Sequence, residues 1–423
     1  MTRKQNEIIA LSAKLKPLTA KQTEYAIKMT FSGWAVKNYD KATCLDCGKR
    51  IKCDIDDDVV FCPHCQAKKK VFRNRFSKHC VCYHQNICVV NGYQVVRTFA
   101  LRADYSKANL EPTCSVQEVV QNWIDESGNE VVVARPMKFM PRYLDDFNWW
   151  GDMAVRRVRY DWRGSRYSLH ADSFAKGIKL ISKAIRNGCD GRFHGIVASE
   201  YIKRILSDNF FEYLVKTNQY EIAKEYVARD GYGFDDIKSE LNICHRHGYI
   251  VNDVRLWIDM IRSFRNAGID THNPKYICPK NVKEMHDYAV GLANRASERR
   301  TIAKRRQEAL EYEEAYRKAK NAYFGICFDD GEVFVSVIDS VLGILEEGTT
   351  MHHCVYTAGY YKKDESLILS ARDKNGKRLE TIEVDLSTYR IVQSRGLQNS
   401  ATDSHERIVN LVNKNMILIK NAV

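Results

Sequence analysis

Apolar residues recur at helical spacing through the opening segment, with Ile8, Ile9, Leu11, Leu15 and Leu18 followed by Tyr25, Ala26 and Met29. This predicts two short amphipathic helices broken near Pro17, packed on the segment that follows. From Val71 to about Asp161 the pattern shortens to runs such as Ile87 to Val90, Tyr93 to Leu101 and Glu130 to Val133, rich in β-branched and aromatic residues. Asn91-Gly92 and Gly128-Asn129 punctuate them, so a mainly antiparallel β region is expected. Helical spacing returns from Asp172 to about Tyr323, near Ser173 to Arg186, Ser199 to Lys216, Asp235 to His247 and Asn252 to Ala267. Pro279 opens a last, long helix running to Lys320, whose acidic block Glu308, Glu311, Glu313 and Glu314 lies between arginines. Such a block suits a solvated helix laced with side-chain pairs as well as it suits a nucleic-acid stripe. Beyond Phe324 the pattern is mixed: strands at Val333 to Val337, Leu367 to Arg372, Glu380 to Asp385 and Arg390 to Gln393, then a helix from Ser404 to Lys420.

The pattern therefore reads as a multidomain α+β protein with four regions. These are N-terminal helices with a cysteine ribbon (1–80), a β region (81–171), a helical region (172–323) and a small α+β domain (324–423). A length of 423 residues exceeds what one core usually serves. No run of about eighteen apolar residues occurs anywhere along the sequence, so no spanning helix is expected. The 14 cysteines occur in a long chain that opens without an apolar signal segment, which points to a reducing cytoplasm rather than a secreted disulfide scaffold.

Two Cys-x-x-Cys pairs, Cys44 with Cys47 and Cys62 with Cys65, stand 14 residues apart. Each knuckle presents two thiolates, and together they complete a tetrahedral four-cysteine site of the structural zinc type. Cys53 between the pairs and His64 inside the second are rival ligands. Four thiolates leave no open position for a reacting water, so the metal is expected to be structural.

Sixty-six basic residues against 53 acidic ones give a formal charge of +13, for which a polyanion is the simplest partner. Just downstream of the knuckles, Lys68, Lys69, Lys70, Arg73, Arg75 and Lys78 interleave with Phe72 and Phe76, a mixture that follows phosphates and stacks bases. A second group, Arg156, Arg157, Arg159, Arg163 and Arg166 with Tyr160, Trp162 and Tyr167, would place several arginines on one face of a strand. Core aromatics beside a basic connector, and a solvated strand face, are the plain alternatives. Cys244, His245 and His247 share no helix face and make a poor second metal site.

The C-terminal domain carries the densest polar pattern. In period-two strands Thr381, Glu383 and Asp385 share one face opposite Ile382 and Val384, and Gln393 shares a face with Arg395. Candidate catalytic residues are His353, Cys354, Glu383 and Gln393, with Cys354 as nucleophile or Glu383, Asp385 and Gln393 around a divalent ion. His353 is badly placed as a base for the adjacent Cys354, whereas His352 or His405 would suit if the fold brought them near. A buried cysteine with a hydrogen-bonded histidine at a helix start is the plain alternative. Arg372, Arg395 and Asn399 add candidate nucleic-acid contacts, since guanidinium and amide groups donate fixed forks. Gly396 and Asn399 equally suit a turn capping the last helix.

Along residues 347 to 399 the chain resembles the PcfJ-like family of bacterial mobile and conjugative elements. The resemblance rests on Glu347-Gly348, His353-Cys354-Val355, Tyr360, the strand ending in Arg372, Thr381-Ile382-Glu383-Val384 and the Gln393, Gly396, Asn399 spacing. Upstream, Pro279-Lys280-Asn281 and His286-Asp287 resemble further family elements. The resemblance implies an accessory role beside a relaxase or coupling protein. The expected function is that of a zinc-stabilised protein binding DNA or RNA. An enzyme with the C-terminal site and a protein-interaction scaffold remain the alternatives.

Overall fold

The computed structural model describes residues 1–38, 40–54, 57–73, 78–107, 110–139, 142–157 and 166–423. It is a mixed α+β chain of two compact units, residues 1–258 with 271–282 and residues 259–270 with 283–423. No helix among the described residues is long and apolar enough to cross a membrane.

In the first unit, α1 (Arg3–Ser12) and α2 (Ala20–Phe31) each open on a capping box, Thr2 with Gln5 and Thr19 with Gln22, on either side of the Pro17 break. Strands β1 (Trp34–Asn38), β2 (Lys41–Cys44), β3 (Arg50–Lys52), β4 (Val59–Cys62) and β5 (Ala67–Arg73) follow. They form a ribbon sheet in the order β3-β2-β1-β5-β4, antiparallel except for the parallel β1/β5 pair.

Next come β6 (His79–Val90), β7 (Tyr93–Asp104), β8 (Thr113–Ile124) and β9 (Glu130–Ala134). The hairpin β10 (Pro136–Phe139) and β11 (Arg142–Phe147) and the short strands β12 (Ala154–Val155) and β13 (Ser173–Phe174) complete the β region. A six-stranded sheet takes the order β12-β9-β8-β7-β6-β13. Asn91 and Gly92, at φ 47° and 81°, make the two-residue turn between β6 and β7.

The two N-terminal helices do not pack mainly on the ribbon. Ile8 joins Val95, Trp123, Val133 and Val155 on the six-stranded sheet, which offers the wider apolar face, while α2 links ribbon residues Val36 and Leu45 to Phe99 and Leu101. The helix expected from Ser173 begins only at Ser182. Ser173 instead pairs in parallel with His84, and its buried hydroxyl lies 2.7 Å from His84 Nδ1 and 2.6 Å from Thr30 Oγ1. Edge pairing thus satisfies polar groups that would otherwise be buried alone.

The helical stretch consists of α3 (Ser182–Arg186), α4 (Ala198–Ser207), α5 (Asn209–Lys216), α6 (Tyr220–Ala228), α7 (Lys238–Arg246), α8 (Val254–Asn266) and α9 (Pro274–Ile277). From Asp259 onward α8 belongs to the second unit.

The second unit contains the long α10 (Val282–Lys320) from Lys283 onward, β14 (Cys327–Asp329), β15 (Val333–Val337), α11 (Val341–Thr350), β16 (Ser366–Asp373), β17 (Arg378–Asp385), β18 (Arg390–Arg395) and α12 (His405–Lys420). Its five strands run antiparallel in chain order. Ile408, Leu411, Val412 and Ile419 of α12 cover one face with Leu367, Leu369, Ile382 and Val384. A second core joins Ala309 and Tyr316 of α10 to Ile344, Val355 and Ile368. On α10, Lys304 pairs with Glu308 and Arg317 with Glu313, and Gln307 donates to Glu311, the lattice expected of a solvated helix.

Candidate metal centre and polar pocket

Cys44 ends β2 and Cys62 ends β4, and each strand runs through a tight turn carrying the second cysteine of its pair. The two hairpins thereby bring all four sulfurs within 4.8 Å of one another, the arrangement that can hold a metal ion. Cys44 and Cys65 sulfurs are 3.8 Å apart and those of Cys47 and Cys62 3.7 Å. A tetrahedron with metal–sulfur bonds of about 2.3 Å has edges of about 3.8 Å, so the donor set fits a tetrahedral thiophilic ion such as zinc.

Gly48 after the first pair takes φ +71°, and a Cβ there would lie 1.7 Å from the Leu110 carbonyl oxygen. Gln66 occupies the matching position after the second pair at φ 56°. The two knuckles therefore share one backbone geometry, glycine in one and a strained glutamine in the other. Cys53 lies apart from the four sulfurs, in an apolar cluster with Ala35, Ala42 and Val60, and His64 is exposed outside the group.

In the metal-free chain burial pushes the Cys44 thiol up to about 11 and also raises Cys65. For Cys62 burial acts the same way, but the backbone N–H groups of Cys65 and His64 win and draw the thiol down. Lys69 is buried on this side of the sheet and its ammonium pairs with Asp46. It therefore offsets negative charge near the thiolates and is not presented to a phosphate.

Of the other basic candidates after the knuckles, Lys68, Lys70, Arg73 and Lys78 are exposed and Arg75 lies outside the described residues. Arg73 makes only a 3.5 Å pair with Asp58. Two members of the second arginine group are neutralised: Arg156 makes a bidentate bond to Asp145 at 2.7 and 2.5 Å, and Arg166 pairs with Asp146 at 2.6 Å. Arg157 is exposed with its guanidinium 4.7 Å from the Tyr143 ring centre. Arg159 and Arg163, with Tyr160 and Trp162, lie outside the described residues.

In the second unit a pocket of about 60 Å³ is lined by His353, Cys354, Tyr360, Thr381, Glu383, Gln393, Arg395 and Asn399. Strand register makes it: Glu383 faces Gln393 directly across β17 and β18, and Thr381 faces Arg395. Glu383 accepts from Ser366 Oγ at 2.8 Å and from Gln393 Nε2 at 2.9 Å, and Gln393 Nε2 also donates to Tyr360 Oη at 3.1 Å. His353 Nε2 donates to the Gly396 carbonyl at 2.6 Å, which fixes its tautomer and staples the end of α11 to the 396–399 turn. His352, Gln398 and Asn399 all hold positive φ, at 53°, 54° and 61°, a concentration of backbone strain at the rim.

The plain alternatives for this segment are corrected. Cys354 is exposed and His353 follows the end of α11 rather than opening a helix. Asn399 does not cap α12, which begins at His405, because Asn399 is held in a left-handed turn by its N–H to the Gly396 carbonyl. The His353 ring is turned to Gly396, and among the described residues no histidine bonds the Cys354 thiol. His405 lies instead on Glu380, 3.0 Å away, and His352 is exposed. Asp385 uses one carboxylate oxygen for Ser387 and Thr388, whose hydrogen bonds hold it below the usual carboxylate range. Arg372 donates weakly to Ser370 at 3.4 Å and does not line the pocket.

Two carboxylates of this unit, Glu347 and Glu380, are buried, which the sequence pattern does not signal. Glu347, 1% exposed, accepts from Arg378 Nε at 2.7 Å and Thr381 Oγ1 at 2.9 Å. Glu380, 0% exposed, accepts from Ser394, Thr402 and His405. Cys244 is buried 3.9 Å from Cys278, and neither it nor His245 or His247 joins a group of three metal donors among the described residues.

The fold and these two sites define an α+β protein with a four-cysteine cluster able to hold a metal ion and a C-terminal polar pocket. Residues 256–409, which include every residue lining that pocket, match the family model described as PcfJ-like protein. No curated protein and no solved structure matches the chain.

Proposed function

We propose that this is a nucleic-acid-binding protein whose cysteine centre holds one structural zinc ion, and that it assists the DNA-processing machinery of a mobile or conjugative element beside a relaxase or coupling protein. The nucleic-acid part is carried by β5, in which Lys68 and Lys70 are exposed on one face while Lys69 is buried against the metal centre. Zinc would cross-link the two hairpins and hold that strand rigid without taking part in any reaction. The excess of 66 basic over 53 acidic residues agrees with a polyanionic partner. The mobile-element context is taken from the resemblance to the PcfJ-like family, with which the match over residues 256–409 agrees.

The test is elemental analysis of protein purified at low salt, with extraction and sequencing of whatever nucleic acid accompanies it. One zinc per chain with bound DNA or RNA is expected. Zinc without nucleic acid would remove the binding reading and leave the scaffold.

The convergence of His353, Cys354, Glu383 and Gln393 in one pocket favours a second reading, an enzyme acting there. Loss of nucleic acid on incubation with magnesium or manganese, abolished by Glu383→Ala, would support its nuclease form. Unchanged loss of nucleic acid in Glu383→Ala, or none with the wild type, would remove that form.

A further inference from the structure

We propose that one face of the ribbon sheet binds single-stranded nucleic acid by stacking bases on Trp34, Phe61 and Phe72 while Lys68 and Lys70 take phosphates; this rests on the nucleic-acid reading above and names its ligand class. The register brings these residues together from three strands. Lys68, Lys70 and Phe72 alternate along β5 and so share a face. Phe61 of β4 stands opposite Lys68, and Trp34 of β1 opposite Lys70.

All three rings are open to solvent, at 54% for Phe61, 44% for Phe72 and 37% for Trp34. The opposite face holds the apolar cluster of Ala35, Ala42, Cys53 and Val60, so the exposed rings are not needed for the ribbon's core. The Lys70 ammonium lies 5.9 Å from the Trp34 ring centre, so charge and ring already share one patch.

The interleaving selects the ligand. An apolar protein surface laid here would bury two ammonium groups without partners, whereas a nucleic-acid strand offers phosphate to each lysine and a flat base to each ring. Strand spacing of about 4.8 Å and a rise of about 3.3 Å per residue put the rings roughly 8 to 14 Å apart. Bases in a duplex are stacked about 3.4 Å apart and present only their edges. Only a splayed single strand can lay separate bases on these rings, as on other aromatic sheet platforms.

The test is fluorescence anisotropy with the full-length, metal-loaded protein and three probes: a labelled 12-nucleotide single strand, the same strand carrying abasic sites, and its duplex. The wild type is expected to prefer the intact single strand, because the abasic strand keeps the phosphates and loses the stacking. Phe61→Ala and Phe72→Ala should each lower affinity for the intact strand about 5- to 100-fold and leave the abasic and duplex probes unchanged. Phe61→Tyr should retain binding, and metal content and melting temperature verify that each variant is folded. Equal affinity of the wild type for strand and duplex, or indifference to both alanine substitutions, would overturn the stacking proposal and leave charge-driven binding standing. Absence of binding to every probe would remove the parent reading with it. Phe61-dependent binding to phosphatidylserine vesicles, without binding to any oligonucleotide, would assign the face to a membrane surface and overturn the proposal.

Discussion

Gly48→Ala should cost the metal centre far more than an ordinary surface substitution. The backbone there is left-handed, at φ +71°, which charges a residue with a Cβ about 1 to 2 kcal/mol. The new carbon would sit 1.7 Å from the Leu110 carbonyl oxygen and 2.4 Å from its carbon, so main chain must retreat, and overpacking of this kind costs about 1 to 3 kcal/mol more. The sum, about 2 to 5 kcal/mol, corresponds even at its lower end to roughly a 30-fold loss of metal affinity if the metal-bound fold carries the strain. Gly33 supplies the control, since it also has positive φ, +82°, but nothing within 4 Å of an added Cβ. Gly33→Ala should therefore cost only the conformational part. Gln66, already left-handed at φ 56°, supplies the converse, and Gln66→Gly should be neutral or stabilising by up to about 1 kcal/mol. Competition with a chromophoric zinc chelator, together with thermal unfolding of the loaded protein, reads all three. Equal zinc affinity in Gly48→Ala and Gly33→Ala would mean that the Leu110 backbone does not hold Gly48 in place.

Lys69→Met should destabilise the ribbon yet leave the salt dependence of nucleic-acid binding unchanged, because its ammonium faces Asp46. Lys68→Ala and Lys70→Ala should each reduce the slope of log affinity against log salt by about 0.7 for a single strand. Burial lowers the pKa of His84 from 6.5 to about 4, so the unfolded chain takes up its proton before the folded one. Stability contributed by this site is therefore full above about pH 6.5 and falls as pH drops toward 4, by roughly 3 kcal/mol in all. Chemical denaturation at pH 7 and pH 4.5 should show that loss in the wild type and a smaller one in His84→Gln. Glu380→Ala leaves the donors of Ser394, Thr402 and His405 unpaired and should cost on the order of 3 kcal/mol in the second unit, read by its melting transition, while zinc content stays at the wild-type level.

The knuckles, the Asn91-Gly92 turn and the polar face of β17 were legible because each is a local pattern: a fixed spacing, a turn dipeptide, an alternation of period two. The pocket was partly legible for the same reason, since Glu383 and Gln393 already alternated on strands that proved to be neighbours. What sequence could not supply was long-range pairing. Nothing near Trp34 announces that it will lie beside Lys70, because the parallel β1/β5 pairing that unites them joins distant segments. The fate of Lys69 follows from strand alternation once β5 is known, and the neutralising partners of Arg156 and Arg166, Asp145 and Asp146, were present in the sequence without any mark of proximity. Nothing in the sequence marks Glu347, in the Glu347-Gly348 step, or Glu380, at the start of a strand, as buried. Their burial becomes favourable only where arginine and hydroxyl donors from other elements meet them.

The most direct measurement is the affinity of the zinc-loaded protein for a labelled single strand across a range of salt concentrations. Contacts from Lys68 and Lys70 predict log affinity falling with log salt at a slope of about −1.4. A flat salt response, or no binding at the lowest salt, would contradict the claim that this ribbon is a nucleic-acid-binding module.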